Sequence, residues 1–142
     1  MKATGIIRRI DDLGRVVIPK EIRRTIGIRE GDPLEIYTDH GGCVIFKPYQ
    51  NDELKPMAVS IVNTLRSYSN TRASVYDRYG HKLAGNGADS IDPDNRDECT
   101  FPIQDNALFN CPIGFIVVNT PPTAEVRGQI ELFKQLATDY LS

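Results

Sequence analysis

The sequence has 142 residues, with 17 Lys and Arg against 19 Asp and Glu, 40% hydrophobic residues, three Cys and no Trp. This composition is typical of a globular protein and excludes a disordered chain, a collagen-like chain and a disulfide-stabilised scaffold. No apolar run approaches the roughly 20 residues of a membrane-spanning helix, and the first residues lack the apolar core of a secretory signal. We therefore expect a cytoplasmic protein with reduced cysteines and no membrane partner.

Positive charge is concentrated at the amino-terminal end. Residues 1–29 contain eight Lys and Arg against three acidic residues, whereas residues 30–50 and 51–142 are both net negative. Such asymmetry is typical of a chain in which one segment faces a polyanion. A plain solvated surface is the alternative that charge alone leaves open.

The first fifty residues predict a small unit rich in strands. Two strands, a short helix and the two strands of a hairpin are predicted at residues 4–10, 15–18, 19–26, 34–38 and 43–47. Pro19 and Gly27 suit the start and end of the helix, and Ile22 and Ile26 are expected to face inward. A unit of this size buries only ~60% of its unfolded surface, so we expect it to dimerise through merged sheets.

A second unit follows the polar joint at residues 48–52. A four-turn helix is predicted from Leu54 to Tyr68, and a final amphipathic helix from near Thr123. Four strands are predicted between the helices, at residues 72–77, 81–84, 98–104 and 113–119. This order predicts an α+β module in which helices cover one face of an antiparallel sheet. The aromatic residues expected in its core are Tyr76, Tyr79, Phe101, Phe109, Phe115 and Phe133.

The stretch from Met1 to Asp39, MKATGIIRRIDDLGRVVIPKEIRRTIGIREGDPLEIYTD, closely resembles the swapped-hairpin domain of the SpoVT/AbrB-type transition-state regulators. The whole chain is similar to a short sporulation regulator of that family. The resemblance implies a homodimer whose hairpins interleave into one β-barrel that binds double-stranded DNA. By matching position, it implies DNA contacts from the six residues Arg8, Arg15, Arg23, Arg24, Lys2 and Arg9, of which the last two are secondary candidates.

The chemistry of these side chains agrees with that implication. A guanidinium group presents a planar fork of donors that suits phosphate oxygens and the O6/N7 edge of guanine. Arg15 follows Gly14 in a turn, and Arg23 and Arg24 lie near the end of the short helix, so their side chains can reach a groove. Lys20 and Arg29 are expected to be solvated.

The second unit, residues 53–142, resembles a truncated GAF-like domain. The fold class expected for the chain is therefore α+β: a dimeric swapped-hairpin β-barrel over residues 1–50, then a small GAF-like module. The segment between Ala84 and Glu98 is short for a ligand lid, so the module is expected mainly to join subunits into a homotetramer through helices at 53–69 and 123–141. A small-molecule effector is left open.

The function expected is sequence-specific DNA binding by a non-catalytic transcriptional regulator, acting on sporulation or other developmental genes. No catalytic spacing involves His40 or His81, and no cofactor is expected; metal binding by His81 with Cys99 or Cys111 is a remote alternative. The main rival is an antitoxin-like DNA-binding module whose carboxy-terminal region neutralises a toxin. Such a region is usually extended, unlike the periodic sequence from residue 53 onward.

Overall fold

The computed structural model describes residues 2–50, 52–106, 108 and 111–141. The chain divides into two compact units, Met1–Asp32 and Pro33–Ser142. Among the described residues, no helix is long and apolar enough to cross a membrane.

The described part of the first unit contains one helix and tight turns at residues 11–14 and 29–32. Helix α1 spans Lys20–Ile26, as predicted; it follows Pro19 and ends at Gly27, whose φ of 82° lies in the left-handed region that favours glycine. The amides of Gly27 and Ile28 both donate to the carbonyl oxygen of Arg23, which closes the last turn. Ile26, expected to face inward, is 51% exposed.

The strands predicted at residues 4–10 and 15–18 are wrong for the single chain, since no strand is formed in residues 2–32, all of which are described. A strand exists through hydrogen bonds to a neighbouring strand, and these two stretches meet only at the turn, where the Asp11 amide donates to the Arg15 carbonyl oxygen. The alternating apolar pattern marks side chains suited to a strand, but it does not supply the partner strand.

The second unit begins with a β-hairpin. Strands β1 (Leu34–Thr38) and β2 (Val44–Pro48) pair antiparallel. At the connecting loop, the carboxylate of Asp39 accepts hydrogen bonds from the amides of Gly41 and Cys43. This side chain fixes the hairpin turn that the sequence predicts.

The rest of the second unit is an α+β module with the element order that the sequence predicts. Its elements are α2 (Leu54–Ser69), β3 (Ala73–Asp77), β4 (Lys82–Ala84), β5 (Thr100–Ile103), β6 (Gly114–Val118) and α3 (Ala124–Leu141). The four strands form one antiparallel sheet in the order β4-β3-β6-β5.

Both helices pack on one face of this sheet. The core joins Leu65 of α2 and Ile130 of α3 to alternate strand residues such as Val75, Ile103 and Ile116, all almost fully buried. Tyr76 and Phe115, paired across β3 and β6, are buried as expected on the opposite face. Of the other four aromatic residues expected in the core, Phe101 is buried, Tyr79 and Phe133 are half-buried, and Phe109 lies outside the described residues.

The loop from Gly85 to Glu98 contacts that opposite face. The Tyr76 hydroxyl donates to the carbonyl oxygen of Ala88, and the guanidinium carbon of Arg96 lies 5.5 Å from the centre of the Phe115 ring. The loop therefore covers the sheet by itself, without a helix.

Burial differs sharply along the chain. None of residues 2–50 is buried, whereas the core lies entirely between Leu54 and Thr138. The large apolar side chains exposed in the first fifty residues are Ile6, Ile7, Ile10, Leu13, Val16, Val17, Ile26, Ile36, Tyr37, Val44, Ile45 and Phe46. Large apolar side chains left exposed in such number are characteristic of a protein interface.

Candidate nucleic-acid interface

The turn from Asp11 to Arg15 is held by hydrogen bonds to the backbone and side chain of Asp11. One carboxylate oxygen of Asp11 accepts hydrogen bonds from the amides of Leu13 (2.9 Å) and Arg15 (2.8 Å). The Gly14 amide donates to the Asp11 carbonyl oxygen, and Gly14 itself has a φ of 76° that allows the chain to reverse. The side chain of one aspartate thus defines the shape of the turn.

Asp11 also holds the side chain of Arg15. The Arg15 Nε lies 2.8 Å from the second carboxylate oxygen, and the Arg15 side chain remains 70% exposed. The backbone hydrogen bond from Arg15, then its side-chain hydrogen bond, lower the pKa of the Asp11 carboxyl below its ordinary value. The Asp11 carboxylate uses only the Nε of Arg15, so the two terminal nitrogens remain as donors for a phosphate or a base edge.

Asp11 is a residue that the sequence analysis did not identify. The signal was present, because an aspartate followed three residues later by glycine is typical of a turn closed by the aspartate side chain. The family resemblance implied the basic residues only, and it did not indicate that the Asp11 carboxylate orients Arg15.

Helix α1 carries the next two candidates in its last turn. Arg24 is exposed, whereas Arg23 is partly buried. The Nε of Arg23 is buried and has no hydrogen-bond partner among the described residues. A guanidinium nitrogen withheld from water without an acceptor costs free energy.

The remaining candidates lie in the segment before the turn, which has no regular secondary structure in residues 2–10. Lys2, Arg8 and Arg9 are exposed, and the Nη1 of Arg8 donates to the carbonyl oxygen of Ile7 at 3.2 Å. Of the six candidate cations, only Arg15 forms an ion pair within the described part of the chain. Of the two cations expected to be solvated, Lys20 is exposed and Arg29 pairs with Asp32 at 3.7 Å.

The metal-binding alternative considered above depends on His81. In the described ranges, no group of three or more His, Cys, Asp and Glu side chains is placed to hold a metal ion. His81, considered above as a metal ligand, has its Nδ1 3.3 Å from the carboxylate of Asp77. That carboxylate also accepts the amides of Tyr79 and His81, which is a turn-stabilising role.

Comparison with known protein families finds one matching model. Residues 7–54 match the family described as "Antidote-toxin recognition MazE, bacterial antitoxin". The matched segment contains Arg8, Arg9, Arg15, Arg23 and Arg24, and it ends where helix α2 begins.

Three proteins of Bacillus subtilis (strain 168) are similar to this chain. Stage V sporulation protein T is 55% identical over 84 residues, which are 58% of this chain and 42% of that protein. Transition state regulatory protein AbrB is 60% identical over 47 residues, which are 33% of this chain and 49% of that protein. These matches therefore span less than half of either relative. The transition state regulator Abh is 33% identical over 75 residues, which are 53% of this chain and 80% of that protein.

A solved structure matches the same segment. It is the solution structure of the N-terminal DNA recognition domain of the Bacillus subtilis transition-state regulator AbrB, with 58% sequence identity. The match covers 37% of this chain and 96% of that domain, with a TM-score of 0.31.

Proposed function

We propose that this chain binds double-stranded DNA as a sequence-specific transcriptional regulator, proceeding from the fact that it belongs to the AbrB-type family of transition state regulators. The single observation that carries the proposal is the arginine set of residues 8–24, in which Arg8, Arg9, Arg15 and Arg24 are exposed and which lies within the family match over residues 7–54. The proposed role is non-enzymatic and cytoplasmic, and by relationship to stage V sporulation protein T it concerns sporulation or other developmental genes.

The proposed contacts are Arg8, Arg15, Arg23 and Arg24, with Lys2 and Arg9 in support. Contacts to phosphates supply affinity and fix the position of the protein on the duplex, whereas arginines that reach the base edges in a groove distinguish one base sequence from another. The Asp11–Arg15 pair supports a defined role for Arg15, because its planar group is oriented before DNA arrives and loses less conformational entropy on binding.

We propose a homodimer in which the segments 1–50 of two copies interleave into one β-barrel. Two observations support this arrangement: residues 2–50 bury no side chain within one chain, and they expose a row of large apolar groups. A second copy would cover those groups and pair the stretches 4–10 and 15–18 as strands. Two-fold symmetry would also place two arginine sets on one duplex.

For residues 53–142 we propose a GAF-like module that joins subunits, giving a homotetramer through helices α2 and α3. The apolar side chains exposed on these helices support the interface, and they are Val59, Tyr68, Leu132, Leu136 and Tyr140. Light scattering on the full chain should report four copies, and the variant Leu136→Glu should reduce the assembly to two.

The test of DNA binding is a gel-shift series on genomic fragments at several salt concentrations. A dimer that makes about 6–8 phosphate contacts should show a log–log salt slope of roughly −5 to −7. Arg23→Ala and Arg24→Ala should each weaken binding and, for a phosphate contact, flatten the slope by up to about 2. Lys20→Ala, in the same helix, is the matched control and should leave the slope nearly unchanged. Equal affinity of both arginine variants and the wild type would refute the proposal.

The antitoxin alternative has the description of the matching family model in its favour. It requires an extended carboxy-terminal region that is free to bind a toxin. Residues 54–141 instead contain two long helices and a four-stranded sheet around a buried core, wherever they are described. This folded module favours the regulator, and limited proteolysis checks it: an antitoxin-like region would be trimmed rapidly, whereas the module should resist cleavage.

A further inference from the structure

A cavity of about 630 Å³ lies where helix α2 ends and strands β3 and β6 meet it. Its volume falls in the range of about 300–1,000 Å³ that small-molecule sites occupy. Val62 of α2 and Val117 and Val118 of β6 provide apolar walls.

The chain reverses direction after α2, and this reversal brings two arginines to the same cavity. Asn70 ends the helix with a φ of 50°, and the amide of Thr71 then donates to the carbonyl oxygen of Leu65. This reversal brings Arg66, in the last turn of α2, and Arg72, just before β3, to the lining of one cavity.

Neither arginine is neutralised. Arg66 and Arg72 form no side-chain hydrogen bond or ion pair with any residue that the structure describes, and no Asp or Glu is among the described residues lining the cavity. A cation near a helix carboxyl end is ordinarily explained by the helix dipole, which accounts for Arg66 but not for Arg72. Two arginines without an acidic neighbour at one cavity are unexpected, because residues 51–142 carry more acidic than basic groups.

Polar groups beside the arginines complete the lining. Asn63 and Asn119 both line the cavity, and the backbone amide of Asn119 donates to the carbonyl oxygen of Arg72 at 3.3 Å. These amide side chains can donate to an oxyanion or accept from a hydroxyl group.

The opposite wall is built by the loop after β4 and is held rigidly. The Gly87 amide donates to the Ser74 hydroxyl at 2.8 Å. A Cβ atom at Gly87 would stand 2.7 Å from the hydroxyl oxygens of both Ser74 and Tyr76, and one at Gly85 would stand 2.5 Å from the Ala73 carbonyl oxygen. Only glycine permits the loop to approach β3 so closely, so the cavity is a formed feature of this sequence.

We propose that this cavity binds a small amphipathic organic anion, with its carboxylate held by Arg66 and Arg72 and its hydrocarbon part against the valine walls. Paired guanidinium groups match a carboxylate, and the apolar walls select against a simple inorganic ion. The proposal is independent of DNA binding and assigns a ligand class to the carboxy-terminal module.

Three probes separate the parts of the proposed ligand: hexanoate has both the charge and the hydrocarbon, acetate has the charge alone, and hexan-1-ol has the hydrocarbon alone. Each is titrated into ¹⁵N-labelled full-length protein and followed by NMR. Hexanoate should shift the signals of cavity residues and bind at least about tenfold more tightly than acetate or hexan-1-ol. Equal affinity for hexanoate and hexan-1-ol, or shifts confined to residues outside the cavity, would overturn the proposal.

Substitutions test whether Arg66 and Arg72 bind the carboxylate of the ligand. The double variant Arg66→Gln, Arg72→Gln should lose at least about tenfold in hexanoate affinity, whereas Lys55→Gln, a cation of the same helix that does not line this cavity, should keep it. Both arginines are exposed, so the double variant should retain the wild-type circular dichroism spectrum. Undiminished hexanoate binding by the double variant would refute the assignment. The comparison of probes on the wild-type protein is decisive even if this variant misfolds.

Discussion

The hydroxyl of Tyr79 donates a hydrogen bond of 2.8 Å to the carbonyl oxygen of Tyr49 and lies 3.3 Å from that of Pro33. Pro33 precedes strand β1 and Tyr49 follows strand β2, and the amide of Tyr49 itself donates to the Pro33 carbonyl oxygen. One side chain from the turn after β3 therefore ties both ends of the hairpin to the α+β module.

Removing that hydroxyl should loosen the hairpin. Tyr79→Phe leaves two partly enclosed carbonyl groups without this donor, at an expected cost of about 1 kcal/mol in the free energy of unfolding. Urea unfolding of the full chain measures the change. Tyr68→Phe is the control, since Tyr68 is 82% exposed, and an equal loss in both variants would contradict the role assigned to Tyr79.

Arg78 stabilises the same end of the hairpin through its guanidinium group, which contacts Asp105 and the Tyr49 ring. Its side chain is 3% exposed; Nη2 lies 3.6 Å from the carboxylate of Asp105, Nη1 donates to the Cys111 sulfur, and the guanidinium carbon lies 4.8 Å from the centre of the Tyr49 ring. Arg78→Met should cost about 3–5 kcal/mol, because the Asp105 carboxylate stays buried without its cation. The double variant Arg78→Met, Asp105→Leu should recover much of that loss in the same unfolding assay. A double variant less stable than Arg78→Met would argue against an ion pair.

Two glycines should respond oppositely to alanine. A Cβ at Gly114 in β6 would stand 2.4 Å from the Tyr76 carbonyl oxygen and 2.7 Å from a methyl carbon of Leu54, so Gly114→Ala should destabilise by about 1–3 kcal/mol. Gly128 in α3 has no such neighbour within 4 Å, so Gly128→Ala should stabilise by roughly 0.5–1 kcal/mol through helix propensity. Thermal unfolding compares them, and a shift of the same sign in both would show that the packing described at Gly114 is not decisive.

The Asp11 turn should persist to unusually low pH. Because hydrogen bonds from Arg15 lower the pKa of Asp11 in the folded chain, the ionised turn is stabilised above the unfolded value of about 3.9. That stabilisation is lost only as the pH falls through the lower, folded value. An NMR titration of the Arg15 Nε–H signal should therefore show its main change below pH 3.9. A midpoint at or above the ordinary aspartate value would contradict this.

Local patterns predicted most of the fold, and the reason is that most elements complete their hydrogen bonds within the chain. Helices α1, α2 and α3 begin and end within a few residues of their predicted bounds, because apolar spacing and Pro or Gly signals are local. The strands predicted at residues 4–10 and 15–18 are not formed, because the single chain does not supply a partner strand for their backbone hydrogen bonds. Tyr68, at the end of the apolar stripe predicted for α2, is exposed.

The candidate sites were predicted unevenly. The arginines followed from charge and resemblance, and they remain predictions until DNA binding is measured. The turn before Arg15 was predicted, whereas the role of the Asp11 carboxylate was not, although the Asp-to-Gly spacing could have indicated it. The Arg66 and Arg72 cavity could not, because these residues reach one cavity through a backbone reversal at Asn70, and the opposite wall comes from a loop that follows a different strand.

The absence of any buried side chain in residues 2–50 also bears on how much of the protein a cell must contain. A segment that gains its folding free energy by association has a folded fraction that depends on the number of copies present. At low protein concentration that segment would stay unassociated and accessible to proteases, whereas at high concentration association would protect it. Expression level would thus act as a threshold, below which newly made molecules are degraded before they can act.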